Sequence, residues 1–152
     1  SQGDKAIQLA NLSIDHLSKS EVLSMIDINS ISPILLANTL RPLLTKSENA
    51  KVINIGSWLG SISKKKDGGN YSYAISKSAL NMMNRAFAFD VMNENIVSVV
   101  VNPGWVQTDM GGSKAKFTPQ EAVHNLIENV IKKITVKDTG RFLNYDGNEH
   151  PW

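Results

Sequence analysis

The sequence predicts an α/β fold in which helices cover both faces of a parallel β-sheet. Residues 51–57 and 96–101 are almost continuously apolar and rich in β-branched side chains, which is typical of strands buried in a parallel sheet. Between these two segments, apolar residues recur at helical spacing over residues 71–89. A helix that joins two parallel strands makes a right-handed crossover, so this order of elements predicts a doubly wound α/β domain.

The chain before the first predicted strand has a helical pattern. Ser18, with Glu21 three residues later, predicts a helix start closed by a capping box. Apolar residues then continue at helical spacing to about Thr45, with a bend expected over residues 29–33 because the proline at the end of that stretch lacks a backbone N–H. Residues 5–10 fit either a short strand or a helical turn.

The chain after the second strand completes the predicted fold. Thr118 as cap, Pro119 in the first position and Glu121 closing a capping box predict a helix start. Apolar spacing extends this helix to about residue 133, and residues 141–145 predict a last short strand. Residues 1–152 therefore fit a single domain.

Composition and charge narrow the classes of function. Hydrophobic residues make up 41% of the chain and charged residues 20%, which are ordinary proportions for a folded globular protein. The formal net charge of +2 is too small to indicate a nucleic-acid partner or binding to an anionic membrane. No apolar run approaches the roughly 20 residues that span a bilayer, so no membrane segment is expected.

Cysteine and histidine usage argue against metal chemistry. The chain has no cysteine and so offers no disulfide and no thiolate ligand, which agrees with a reducing, cytoplasmic location. The three histidines, His16, His124 and His150, are far apart and lack the spacing of metal ligands. We therefore expect no metal site.

One pair of side chains carries acid–base chemistry. Tyr73 and Lys77 are four residues apart in the predicted helix, so both project from one face, one turn apart. A neighbouring positive charge lowers the pKa of a phenol from about 10, which suits proton delivery to a carbonyl oxygen. The alternative is that Tyr73 packs in the core and Lys77 is solvated, and for this short motif alone that interpretation is preferable.

Other polar residues fall at the same edge of the predicted sheet. Ser57 ends the first predicted strand, and Asn102-Pro103-Gly104 end the second. Tyr73 and Lys77 lie near the start of the helix between them. Each group has an ordinary explanation as a turn former or strand terminator. Because sites in open parallel sheets form at the carboxyl ends of the strands, their convergence indicates an active site.

Three ordered motifs resemble those of the short-chain dehydrogenase/reductase family. They are Val52-Ile53-Asn54-Ile55-Gly56-Ser57, Tyr73-Ala74-Ile75-Ser76-Lys77 and Pro103-Gly104-Trp105-Val106-Gln107-Thr108-Asp109-Met110. The last motif and the closing Asn144-Tyr145-Asp146-Gly147 resemble the C-factor and sniffer-type carbonyl reductases in particular. The resemblance implies a Rossmann-like, doubly wound parallel sheet. It also implies NAD(P)-dependent oxidoreduction between a small carbonyl compound and its alcohol, with NADP favoured over NAD.

The resemblance further implies roles for individual residues. Tyr73 is then the general acid, and Lys77 lowers its pKa and binds the nicotinamide ribose. Ser57 holds the carbonyl oxygen, with Ser61 as the alternative because Ser57 lies a few residues farther from Tyr73 than is usual. Asn29 completes a proton relay through water. The positions that line the nicotinamide pocket are matched by Pro103, Gly104, Val106 and Thr108.

Part of the family's pattern has no counterpart in this sequence. Residues 1–50 contain no Gly-x-x-x-Gly-x-Gly turn of the kind that binds a dinucleotide pyrophosphate. The chain is therefore expected to be the C-terminal catalytic part of such an enzyme, without its N-terminal mononucleotide-binding half. The alternative is a non-catalytic binding or scaffold module that reuses half of the fold. The resemblance also implies homo-oligomers formed through the helices near residues 30–45 and 71–93.

Overall fold

The computed structural model describes residues 13–152, which form a three-stranded parallel sheet with helices on both faces. The helices and strands in chain order are α1 (Lys19–Ile26), a π-helical segment (Asp27–Ile31), α2 (Ser32–Leu44), β1 (Ala50–Ile55), α3 (Tyr71–Asp90), β2 (Ile96–Asn102), α4 (Pro119–Asn125), a second π-helical segment (Leu126–Ile131) and β3 (Phe142–Asn144). Short 3-10 turns occupy Ile14–His16, Trp58–Gly60, Met92–Glu94 and Val136–Asp138. The prediction for residues 5–10 lies outside the described residues.

The strand order β1-β2-β3 and the parallel register bring the carboxyl ends of all three strands to one edge. Ile55 pairs with Val101, and Val101 pairs with Leu143. All seven residues of β2 are buried, as predicted for a central strand. β1 is less buried than predicted, because among residues 13–152 only β2 pairs with it and its other edge is uncovered.

Two separate apolar cores confirm the doubly wound arrangement. On one face, α2 and α3 pack on the amino-terminal ends of β1 and β2; this core consists of Ile34, Ala37, Ala50, Leu80, Phe87, Val91 and Ile96. On the other face, the second π-helical segment covers β2 and β3; this core consists of Val97, Val99, Val101, Leu126, Val130, Ile134 and Leu143. The sheet is therefore enclosed from both sides at β2, which sets the position of its carboxyl end.

The segment from Lys19 to Leu44 is one continuous helix rather than two helices separated by a break. The expected bend over residues 29–33 takes the form of the π-helical segment Asp27–Ile31. Pro33 is the second residue of α2 and directly follows the π-helical segment, and Pro42 lies inside the last turn of α2. Neither residue has a backbone N–H to donate to the preceding turn, yet the helix continues through both. A π-helical turn of this kind often marks a functional position in a helix.

This continuous helix is long and apolar enough to cross a membrane by length and composition alone. It has 26 residues. Its most apolar 18-residue stretch has a mean hydropathy of 1.2, and 17% of that stretch is buried. The expectation that no apolar run approaches a membrane span did not identify this helix, because polar residues interrupt its apolar ones and only the average over the helix is apolar. Large apolar side chains on α2 are exposed, including Leu35, Leu36 and Leu43.

The two predicted capping boxes have different outcomes. At Thr118 the box is present: Thr118 Oγ1 accepts from the Glu121 N–H at 3.3 Å, and the Thr118 N–H donates to Glu121 Oε2 at 2.8 Å. At Ser18 the box is absent, although Ser18 does precede the first residue of α1. The Ser18 hydroxyl lies 3.0 Å from the Ser20 hydroxyl instead, which removes it from the backbone N–H groups of the first turn.

Candidate active site

The carboxyl edge of the sheet carries a large, mostly apolar cavity. Its volume is about 770 Å³. Ser57, Tyr73, Pro103 and Gly104 all contribute to its lining, whereas Lys77 and Asn102 of the predicted groups lie outside it. None of the described residues that line it is charged. A cavity of this size and character is typical of a small-molecule site.

Ser57 reaches the cavity because of the tight turn that follows β1. The Gly56 N–H continues the sheet by donating to the Val101 carbonyl at 2.8 Å. A Cβ at Gly56 would lie 2.5 Å from Val100 Cγ1, so only glycine allows this close approach of the two strands. Ser57 then caps the turn Trp58–Gly60, and its Oγ accepts from the Leu59 N–H at 3.2 Å.

The structure distinguishes between the two candidate serines. Ser57 lines the cavity next to Tyr73. Ser61 is buried elsewhere, where its hydroxyl lies 3.4 Å from the Ser63 hydroxyl and accepts from the Lys64 N–H at 3.3 Å. The extra residues between Ser57 and Tyr73 form the turns of a lysine-rich loop. In this loop, Lys65 Nζ donates to the Gly69 carbonyl at 2.9 Å. Ser57 is therefore the serine that geometry pairs with Tyr73.

Tyr73 and Lys77 lie on one face of α3, as their spacing predicted. Lys77 Nζ is 5.7 Å from the centre of the Tyr73 ring. It donates a hydrogen bond of 2.9 Å to the Ile55 carbonyl at the end of β1. A half-buried ammonium needs such a partner, and this bond fixes the first turns of α3 against the sheet edge.

Burial controls the proton affinities of both groups. It raises the pKa of Tyr73 above its ordinary value of 10.0, and a hydrogen bond with the Ser57 side chain acts in the opposite direction. Burial also lowers the pKa of Lys77 below its ordinary value of 10.5. The expected lowering of the Tyr73 pKa by Lys77 is therefore wrong for the protein by itself, because desolvation of the phenolate dominates. Tyr73 is held as a neutral O–H donor.

Asn29 lies in the first π-helical segment and contacts α3 through Ser76. Its Nδ2 donates to Ser76 Oγ at 3.0 Å, and Ser76 Oγ donates to the Tyr73 carbonyl at 2.8 Å. The neighbouring Ser30 Oγ donates to the Ser76 carbonyl at 2.6 Å. Sequence reasoning missed Ser30 and Ser76, although small polar residues on the buried face of an apolar helix are a usable signal.

The four residues matched to a nicotinamide pocket all line the large cavity. They are Pro103, Gly104, Val106 and Thr108. Gly104 has a φ of +82°, and a Cβ there would lie 2.9 Å from the Phe117 ring. This flat, apolar wall with a single hydroxyl, that of Thr108, suits a planar heteroaromatic ring with a polar substituent. The residues present therefore fit a nicotinamide group.

Asn102, predicted to lie at this edge of the sheet at the end of β2, does so and joins neighbouring segments by side-chain hydrogen bonds. Its buried Oδ1 accepts from the Trp58 N–H at 3.2 Å and from the Gly104 N–H at 3.3 Å. Its Nδ2 donates to Asn144 Oδ1 at 2.8 Å. One side chain thus joins the ends of three chain segments around the cavity. An Asn before Pro-Gly at the end of a buried strand was the available signal.

Hydrogen bonds within the loop that follows Gly104 hold its conformation. The Phe117 N–H donates to the Trp105 carbonyl at 3.0 Å, and the Gln107 N–H donates to the Phe117 carbonyl at 2.8 Å. The Trp105 indole N–H donates to the Gly111 carbonyl at 2.8 Å. Met110, in this loop, lines both the large cavity and a second cavity of about 420 Å³, as Tyr73 does.

Within residues 13–152, no three His, Cys, Asp or Glu side chains come together.

Comparison with known proteins gives the chain relatives in both sequence and structure. The family model described as short chain dehydrogenase matches residues 7–119. The C-signal protein of Myxococcus xanthus is 38% identical over 125 residues, which cover 82% of this chain and 75% of that protein. The 1-hydroxy-2-glutathionyl-2-methyl-3-butene dehydrogenase of Rhodococcus sp. (strain AD45) is 37% identical over 131 residues, covering 84% of this chain and 57% of that protein.

Solved structures give the same result. The carbonyl reductase Sniffer of D. melanogaster superposes with a TM-score of 0.88 at 35% identity, over 93% of this chain and 61% of that chain. The NADPH-bound carbonyl reductase from chicken fatty liver superposes with a TM-score of 0.86 at 33% identity, with the same coverage of 93% and 61%. The chain thus spans about three-fifths of these structures, and it belongs to the short-chain dehydrogenase family.

Proposed function

We propose that this chain carries the proton-transfer half of an NAD(P)-dependent oxidoreductase acting on a small carbonyl compound or the corresponding alcohol, as a carbonyl reductase does. The observation that carries the proposal is the placement of Ser57 and Tyr73 together in one apolar cavity, with Lys77 held a turn away. The relatives named as carbonyl reductases, one of them NADPH-bound, support this function and favour NADP. They do not favour the alternative of a non-catalytic scaffold module.

The roles of the side chains follow from their positions. Ser57 Oγ holds the carbonyl oxygen, a contact that strengthens as negative charge develops on that atom. Tyr73 O–H gives its proton to the same oxygen as the carbonyl carbon gains a hydride and becomes an alcohol. A nicotinamide bound against Pro103, Gly104, Val106 and Thr108 supplies that hydride. The apolar walls exclude water, which strengthens each polar contact inside.

Lys77 and Asn29 support the role of Tyr73. Lys77 places a positive charge 5.7 Å from the Tyr73 ring and leaves Nζ near the cavity edge, where a ribose hydroxyl can replace or share its bond to the Ile55 carbonyl. Asn29 supports the turn that carries Tyr73 through Ser76. A cytoplasmic location stays a prediction, since it rests on the lack of cysteine in the 152 residues.

Replacing Tyr73 by phenylalanine tests the proposal. The complete polypeptide that contains this sequence is assayed with NADPH and a panel of aldehydes and ketones. Tyr73→Phe removes only the O–H group, so we expect kcat to fall by about 100-fold or more, the range for loss of a general acid. Tyr71→Phe, two residues earlier on α3 and outside the cavity lining, is the matched control and keeps kcat within about twofold. Equal turnover in both variants would contradict the role of Tyr73.

Binding of the cofactor separates the proposal from the scaffold alternative. Titration calorimetry of the same polypeptide with NADPH is expected to give a saturable heat. A polypeptide that neither binds NADPH nor turns over any aldehyde of the panel would support the scaffold module instead.

A further inference from the structure

We propose that the second cavity, lined by α1, the first π-helical segment and Met110, receives the body of the substrate, whose carbonyl group reaches Ser57 and Tyr73 in the large cavity. Glu21 on the wall of the second cavity then makes the enzyme discriminate against anionic carbonyl compounds. The preferred substrates are then aldehydes and ketones with an apolar body and a neutral or cationic end. This inference rests on the reductase function proposed above.

The second cavity shares the catalytic phenol with the large one. Its volume is about 420 Å³, and it is lined by Ser20, Glu21, Ser24, Met25, Ile28, Asn29, Tyr73 and Met110. Tyr73 and Met110 line both cavities. A molecule in the second cavity therefore contacts Tyr73 without occupying the space beside Pro103 and Val106.

The geometry of the reaction assigns different occupants to the two cavities. A carbonyl group must lie between the hydride donor and the proton donor, so the two reactants approach Tyr73 from different sides. The large cavity contains the four residues that fit a nicotinamide. The second cavity contains none of them, and its volume is in the range of small-molecule sites. It is therefore the side from which the substrate approaches.

The lining of the second cavity defines the chemistry of that substrate. Met25, Ile28 and Met110 provide apolar surface, and Ser20 and Ser24 lie four residues apart on one face of α1. Glu21 is the single charged side chain among the described residues of the lining. Like charges at roughly 8 Å in a partly solvated site repel enough to change a rate constant by about threefold to tenfold. A carboxylate substrate is therefore disfavoured, and a cationic one favoured.

Charge-matched benzaldehydes test this assignment in the complete polypeptide with NADPH. The probes are 4-(trimethylammonio)benzaldehyde, 4-carboxybenzaldehyde and the neutral 4-methylbenzaldehyde. The measured quantity is the ratio of kcat/KM for the cationic probe to that for the anionic probe, and it is compared between variants so that intrinsic reactivity cancels. We expect Glu21→Gln to lower this ratio by about threefold to tenfold and Glu21→Lys to lower it further.

Glu48→Gln is the matched control, because it removes the same charge at an exposed position outside both cavities. It is expected to leave the ratio unchanged. The proposal would be overturned if this kcat/KM ratio were the same in the parent protein, Glu21→Gln and Glu48→Gln. It would also be overturned if the ratio fell equally in the two variants. Loss of the neutral probe's turnover in the parent protein is a different outcome, since it contradicts the reductase function itself.

A second variant tests the location independently of charge. Ser24→Trp places a large ring in the second cavity from a solvent-exposed helical position. We expect kcat/KM for the neutral probe to fall by about tenfold or more while the Kd for NADPH changes by less than twofold. If a variant shows no turnover, the same comparisons between probes and variants are made with the binding of the three corresponding benzyl alcohols, measured by calorimetry. Unchanged kinetics or binding in Ser24→Trp would place the substrate elsewhere.

Discussion

Tyr73 is a half-buried phenol whose proton affinity is set by desolvation more than by its neighbours. The hydrogen bond with Ser57 favours the phenolate, but burial outweighs it and raises the pKa. Lys77 is 5.7 Å from the ring centre and directs its Nζ to a backbone carbonyl. The residue pair is thus arranged to keep the proton on the phenol until a carbonyl oxygen accepts it.

A spectroscopic titration checks this prediction for Tyr73. Tyrosinate absorbance near 295 nm is followed against pH in the parent protein and in Tyr73→Phe, both without added nucleotide. The difference between the two curves isolates Tyr73, and we expect its midpoint above 10.0, in the direction set by burial. Tyr71→Phe is the control, and its difference curve reports a second tyrosine on the same helix. A midpoint below 10.0 for Tyr73 would mean that the charge of Lys77 dominates.

At the scale of the elements, the catalytic turn of α3 is held by the π-helical segment Asp27–Ile31. Two hydrogen bonds join them, from Asn29 to Ser76 and from Ser30 to the Ser76 carbonyl. Within α3, Ser76 Oγ in turn donates to the Tyr73 carbonyl. A π-helical turn shifts the side chains that follow it relative to a regular helix, which allows both Asn29 and Ser30 to face α3. Ser76 is therefore a positioning residue for Tyr73.

Ser76→Ala tests this connection. The variant leaves the Asn29 amide without its partner in a buried contact, so we expect a loss of about 1–3 kcal/mol in the free energy of unfolding. We expect kcat to fall by about tenfold because Tyr73 is displaced, with a smaller change in KM. Ser78→Ala is the matched control, since Ser78 Oγ also donates from α3 to a carbonyl, that of Gly60, at 2.8 Å. A kcat loss of equal size in both variants would argue against a specific role for Ser76.

At the scale of the whole molecule, the outer surface of α2 is the most prominent apolar feature of the described residues. Leu36 is 60% exposed and Leu43 is 63% exposed. Apolar surface of this kind marks interaction sites more often than free surface. The predicted homo-oligomer, with contacts through the helices near residues 30–45 and 71–93, would bury these side chains.

The double variant Leu36→Glu/Leu43→Glu tests the oligomer in the complete polypeptide. Burying two carboxylates in an apolar interface is unfavourable, so we expect light scattering after gel filtration to give a smaller molar mass than for the parent protein. Val136→Glu, at another exposed apolar position, is the control and keeps the parental mass. A parental mass in the double variant would exclude α2 from the interface.

Much of the fold was predictable because its signals are local. Continuous β-branched runs identified β1 and β2, and the Thr118 capping box identified the start of α4. The errors have local causes too. Ser18 has the residue type of a cap but bonds with Ser20 instead. The prolines of α2 do not divide the helix, because Pro33 follows directly on the π-helical segment and Pro42 lies only two residues from the end of α2.

The candidate site was predictable in its residues but not in its contacts. Ser57, Tyr73 and Lys77 were identified by spacing and resemblance, and the choice between Ser57 and Ser61 needed the structure. Ser76 was missed, and the contacts of Asn102 were not predicted, because both side chains bond to segments distant in sequence.

The sequence by itself determined the order of the elements and the family, because periodicity, caps and short motifs are properties of neighbouring residues. The tertiary structure alone decided the direction of the Tyr73 pKa, the pairing of Asn29 with Ser76, and the two cavities that share Tyr73. Burial and long-range hydrogen bonds depend on which distant segments pack together, and that is settled only when the sheet and its helices have formed.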